Sequence, residues 1–163
     1  MSIDALFCSL SPLRIAESIR SAQRAVCYAA PGIQLHLAQA MVETAGRLGK
    51  EMLTVSLDFD DHVMRMGYGD IGAVTLLLDA GISVNSSPGL RTALVVVDNE
   101  GYVFTPTALY LEAEPSDGAA SNAMRVRGTE SQVASIKNTR WSCCLYPCLD
   151  AGSLDSATDR VAV

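Results

Sequence analysis

Two groups of side chains in this sequence have types and spacings that could do chemistry. The first surrounds the run Arg91-Thr-Ala-Leu-Val-Val-Val-Asp98, with Thr105 close behind. Arg91 carries a permanent positive charge whose forked donors match the oxygens of a phosphate. Asp98 closes the same apolar run, and it reads either as a turn residue or as a site carboxylate. The second group is Asp58, Asp60, Asp61 and His62. Carboxylates with an imidazole at the end of a strand could offer oxygen ligands to Mg²⁺ or Mn²⁺, although acidic loop residues are more commonly solvated. These four are therefore only metal candidates, and no metal or other cofactor is expected.

Other features carry less. Gly67-Tyr-Gly69-Asp70 with Gly72 is rich in glycine but lacks the Lys-Ser/Thr of a phosphate loop. His36 and Met41 fall within a helical pattern and read as packing or surface residues. Cys8, Cys27, Cys143, Cys144 and Cys148 are odd in number and show neither Cys-x-x-Cys spacing nor neighbouring histidines, so they read as thiols in a reducing compartment.

The elements that must position these groups follow from periodicity and punctuation. Ser11-Pro12 opens a helix with Leu13, Ile15, Ala16 and Ile19 on one face, ending near Ala22. Arg24 to Ala30 is a short strand stopped by Pro31-Gly32, and a second helix runs from Ile33 to Leu48, closed by Gly49. Glu51 to Leu57 is the next strand, parallel to the first, and it delivers the acidic group. A loop from Met64 to Gly69 precedes a third helix, Ile71 to Ala80, capped by Asp70. A strand at Ile82 to Val84 and the turn Ser86 to Gly89 lead into the Arg91 to Asp98 strand. Four consecutive branched aliphatics there require burial on both faces, and Asp-Asn-Glu-Gly turns the chain back before Tyr102 to Phe104. Ala108 to Glu114 alternates as a further strand. The fold class is thus α/β, a mixed β-sheet flanked by helices. Residues 1–114 form the patterned domain. Residues 115–163 form a linker, a short helix near Thr129 to Ile136 and a tail without clear period.

Composition sets limits on partners. The chain has 163 residues, 49% hydrophobic and 18% charged, enough to bury one core. A net charge of −6 argues against a generally basic surface for nucleic acid or lipid headgroups. No apolar run approaches the ~18 residues of a membrane span, and no leader pattern opens the chain, which points to a cytoplasmic protein without membrane insertion.

Residues 12–106 resemble one half of a phospholipase D superfamily domain. The resemblance rests on Ile19-Arg-Ser-Ala-Gln-Arg-Ala-Val26, Ala30-Pro-Gly-Ile33, Ala45-Gly-Arg-Leu-Gly49, Leu78-Leu-Asp-Ala-Gly-Ile-Ser-Val84 and Val95-Val-Val-Asp98. In that family each half supplies a His-x-Lys-x-x-x-x-Asp motif followed by Gly-Ser-x-Asn, and two halves build one phosphodiesterase site. With Asp98 as the motif aspartate, Arg91 stands at the histidine position and Ala93 at the lysine position. Thr105-Pro106 replaces Gly-Ser, and Ala108 replaces the asparagine. An arginine side chain cannot serve as the nucleophile, yet it can hold a phosphate.

The resemblance implies a non-catalytic phospholipase D-like half-domain that binds a phosphodiester ligand, such as nucleic acid, or a protein partner. Arg91, Asp98 and Thr105 are its candidate ligand-binding residues. It also implies a homodimer or a second half, because two halves build one site in that family; the chain ends where a longer member would begin its second half, so a shortened form of a two-half protein is a further expectation. The alternative is an active phosphodiesterase or nuclease with a metal at Asp58 to His62.

Overall fold

The computed structural model describes residues 6–113 and 121–127. Seven strands form one sheet: β1 (Phe7–Cys8), β2 (Val26–Ala30), β3 (Leu53–Leu57), β4 (Val84–Ser86), β5 (Ala93–Val97), β6 (Glu100–Phe104) and β7 (Ala123–Arg127). Their order is β1-β7-β6-β5-β2-β3-β4. Strands β2, β3 and β4 are mutually parallel, whereas β5, β6, β7 and β1 continue the sheet in antiparallel pairs. The α/β class with a mixed sheet is as the sequence implies.

Among the described residues four α-helices connect these strands: α1 (Pro12–Ser21), α2 (Leu35–Leu48), α3 (Asp61–Met66) and α4 (Ile71–Asp79). Ser11 caps α1 by accepting from the Arg14 amide, and Asp70 caps α4 by accepting from the Gly72 amide. Gly49 ends α2 at φ 101°, a conformation that costs glycine little. Helix α2 packs between α1 and α4. Buried Thr44 ties α2 to α1 by donating to the carbonyls of Ile19 and Ala40.

The core follows from strand alternation. Val26, Tyr28 and Ala30 of β2, Leu53, Val55 and Leu57 of β3, and Ala93 and Val95 of β5 point to one face. They pack there with Ile15, Ile19, Leu37, Met41, Val74 and Leu77 of the helices. Val96, on the opposite face from Val95, is buried as well, so the aliphatic run of β5 is enclosed on both sides.

Several elements depart from expectation. Ala108 to Ala113 is a turn rather than a strand, with the Leu111 and Glu112 amides both donating to the Ala108 carbonyl. The reason is competition: the edge of β6 is taken by β7, which lies beyond residue 114 and inserts between β6 and β1. The sheet therefore extends past the expected boundary at residue 114. The loop expected from Met64 begins instead with the last residues of α3, a helix capped by Asp60. The chain reverses over Asp98-Asn99 alone, and Gly101 is a strand residue whose missing side chain makes room for Val126. The expected helix at Thr129 to Ile136 lies outside the described residues. Among the described residues no helix is long and apolar enough to cross a membrane.

At the carboxyl edge of β2 the backbone runs tightly past the loop that leads into α4. The Asp70 amide donates to the Ile33 carbonyl, and a side chain on Gly32 would place its Cβ 2.7 Å from the Tyr68 carbonyl oxygen. Buried Tyr28 fixes the same corner by donating to the Gly32 carbonyl at 3.2 Å. Gly32→Ala must push backbone apart here. The expected loss is ~1–3 kcal/mol of unfolding free energy, read by urea denaturation.

Candidate functional site

Strand β5 carries one candidate residue beyond each of its ends. It runs antiparallel to β2, so Arg91 emerges at the carboxyl edge of the parallel strands and Asp98 at their amino edge. Separated by seven residue steps of extended chain, the two lie about 20 Å apart. Arg91 and Asp98 therefore cannot hold one small ligand together.

Asp98 is committed to the backbone. It adopts φ 54°, which makes it the only non-glycine with positive φ among the described residues. From that turn its carboxylate accepts from the amides of Gln23, Arg24 and Ala25 at 2.7–3.2 Å. Its own amide donates to the Ala25 carbonyl. Partial burial pushes the carboxyl up, but the three amides and the charge of Arg24 outweigh this and hold it below the ordinary carboxylate range. Asp98 thus clamps the loop between α1 and β2.

Arg91 and the acidic group, by contrast, are brought together. Asp58 directly follows β3, and its side chain is 3% exposed, whereas that of Arg91 is 55% exposed. The Arg91 guanidinium donates to the buried Asp58 carboxylate through Nη1. Its Nη2 lies 3.9 Å from the second acid, Asp60. Asp60 uses its other oxygen to cap α3, accepting from the Val63 amide at 2.7 Å. Asp61 and His62 are exposed on the first turn of α3. Among the described residues no three His, Cys, Asp or Glu side chains are grouped to hold a metal ion. The cation facing Asp58 is the guanidinium.

Arg91 also borders a cleft of about 320 Å³, and Thr105 lines the same cleft. Thr92 and Asn122 contribute polar atoms, and Phe7, Val103 and Met124 supply apolar wall. The Asn122 side chain is already engaged with the Leu10 amide and carbonyl, which fixes this wall. Thr92 was within reach of sequence reasoning as the neighbour of Arg91. Phe7 and Asn122 come from segments too short or too irregular to carry a periodic signal. His36, on the first turn of α2, borders a second cleft of about 570 Å³, but its Nε2 is sealed from solvent without a hydrogen-bond partner.

Arg91→Ala leaves Asp58 buried without its cation. The expected loss is ~2 kcal/mol, less than for a fully enclosed pair because the guanidinium is half in water, and Asp58→Asn in the same chain should recover most of it on denaturant titration. Asp98→Ala should cost ~1–2 kcal/mol near neutral pH. A depressed folded pKa means that this stability is present above the usual carboxylate range and lost as pH falls through the folded value. The gap between wild type and Asp98→Ala should therefore narrow as pH falls below about 4 in thermal melts, leaving the pH-independent cost of alanine at φ 54°.

No protein-family model and no curated protein matches the chain. Among solved structures, a similar arrangement occurs in TrmBL2, an archaeal chromatin protein whose structure shows a novel mode of DNA binding. The identity is 11% and the TM-score 0.46, over 81% of this chain and 47% of that one. The chain thus spans about half the length of that protein.

Proposed function

We propose that the chain is a non-catalytic, phospholipase D-like binding module that takes a phosphate ester at the cleft bordered by Arg91 and Thr105. The observation that carries this reading is Arg91 itself. Its guanidinium is half exposed, anchored from behind by a buried carboxylate, at the carboxyl edge of parallel strands where α/β folds gather ligands. Anchoring lowers the entropy lost when two fixed donors meet two oxygens. The Thr105 hydroxyl, on the same cleft, can donate to a third oxygen. The resemblance of residues 12–106 to a phospholipase D half-domain suggests the ligand class. Arginine at the position of the family's nucleophilic histidine supports binding without turnover. That family's two-half architecture further suggests self-association or pairing with a second half.

Two carboxylates beside one guanidinium weaken the field felt by an anion. Affinity for a minimal phosphodiester is accordingly expected near ~1 mM, equivalent to ~4 kcal/mol. Titration of ¹⁵N-labelled protein with dimethyl phosphate at low salt should shift the amides of Thr92 and Thr105, while those of Gln23 to Ala25 stay in place. Arg91→Gln should weaken binding about tenfold, and Arg91→Lys, which keeps charge but loses the fork, should fall between. Hydrolysis of bis-p-nitrophenyl phosphate, with Mg²⁺ or Mn²⁺ and above the rate of Arg91→Gln, would replace the binding reading with an enzymatic one.

A further inference from the structure

Arg91 does not spend all its donors on the carboxylate behind it. Its Nη1 donates to Asp58 and, at 3.3 Å, to the Leu90 carbonyl. No described residue accepts from Nε or Nη2, so these donors are left for a ligand. Asp60 stands beside them. Its carboxylate lies 3.9 Å from Nη2, beyond hydrogen-bond reach, and its side chain is 48% exposed. Asp58 and Arg91 cancel in charge. Asp61 and Arg65, four residues apart on α3, offset one another as well. Asp60 is therefore the unbalanced charge beside the free donors, in a chain whose net charge is −6.

An arginine facing an anion ordinarily gains with each negative charge that the anion adds. Here a second charge is attracted by Arg91 but repelled by two carboxylates, Asp58 behind and Asp60 beside. An oxygen that accepts from Nη2 at about 2.9 Å lies within about 7 Å of Asp60. Repulsion over that distance costs about threefold in affinity per added charge even at the dielectric of water, and more where protein displaces solvent. A dianion also surrenders more hydration than a monoanion. Resting on the anion-binding role of Arg91 proposed above, we propose that the site admits tetrahedral esters with a single negative charge, phosphate diesters and sulfate monoesters alike, and discriminates against doubly charged phosphate monoesters, with Asp60 setting this limit.

The test uses two ligands of one shape and different charge. Methyl sulfate and methyl phosphate each present three free oxygens on a tetrahedral centre, but at about pH 8, above the second phosphate ionisation near 6, the first carries one negative charge and the second two. Both are titrated by NMR at low salt, beside dimethyl phosphate, into wild type, Asp60→Asn and Arg91→Gln. Asparagine keeps the oxygen that caps α3, so Asp60→Asn should fold, which circular dichroism checks. In wild type methyl sulfate and dimethyl phosphate should bind alike, and methyl phosphate about threefold more weakly. Because the Coulomb energy scales with ligand charge, Asp60→Asn should tighten methyl phosphate by about the square of its effect on methyl sulfate, near tenfold against near threefold. Methyl phosphate binding wild type as tightly as methyl sulfate, or more so, would overturn the charge limit while leaving the anion site standing. Equal gains for both ligands in Asp60→Asn would overturn the role of Asp60. Binding of dimethyl phosphate without methyl sulfate would overturn selection by charge in favour of shape. No binding of any ester, or binding unchanged in Arg91→Gln, would remove the anion site and this inference with it.

Discussion

A carboxylate at 3% exposure cannot stand alone in a protein interior, and Asp58 occupies that position at the end of β3. Its charge must be met, and the cation that meets it is Arg91, 33 residues further along the chain. This demand fixes the path between β4 and β5. The Ser87 amide donates to the Leu57 carbonyl, the chain turns over Ser87 to Leu90, and Arg91 then arrives over Asp58. What a ligand would meet at this edge is therefore decided by a side chain that it cannot reach.

The two ends of β5 are held by the same physics with opposite outcomes. At one end a buried carboxylate grips a guanidinium that stays half in water, so donor capacity is left over. At the other, the Asp98 carboxylate is consumed by three backbone amides, and little capacity remains. Two acidic residues that look equally suggestive on paper thus part ways. One presents a cation to solvent, and the other stitches a loop.

Much of this architecture was legible in the sequence. Helices α1, α2 and α4 are periodic and punctuated by Ser11, Gly49 and Asp70, and the aliphatic run of β5 could only be a buried strand. The elements that escaped lack such signals. Strand β7, Ala-Met-Arg-Val-Arg, mixes apolar and basic residues after a polar stretch, and β1 has two residues. Helix α3 spans six residues, too few for a period. The site was half legible. Arg91 and the acidic group were each visible, but their pairing depends on β5 lying antiparallel beside β2, a fact of topology. The role of Asp98 was hidden for another reason, since its partners are main-chain amides that any residue provides.

The arrangement of the outer strands bears on how the chain reaches its native state. Strands β2 to β6 follow one another closely and can pair soon after collapse. The β1–β7 ladder joins Phe7 to Met124 and Cys8 to Ala123, among the most distant pairings in the described chain. Closing so large a loop is entropically slow. Strand β7 pairs with β6 across a much shorter separation, so β1 is the late strand, and until it docks β7 presents an unpaired edge, the kind of surface that recruits a second unfinished chain. The two residues of β1 thus act as a cover against aggregation, and the interval before they dock is when the folding chain is most vulnerable.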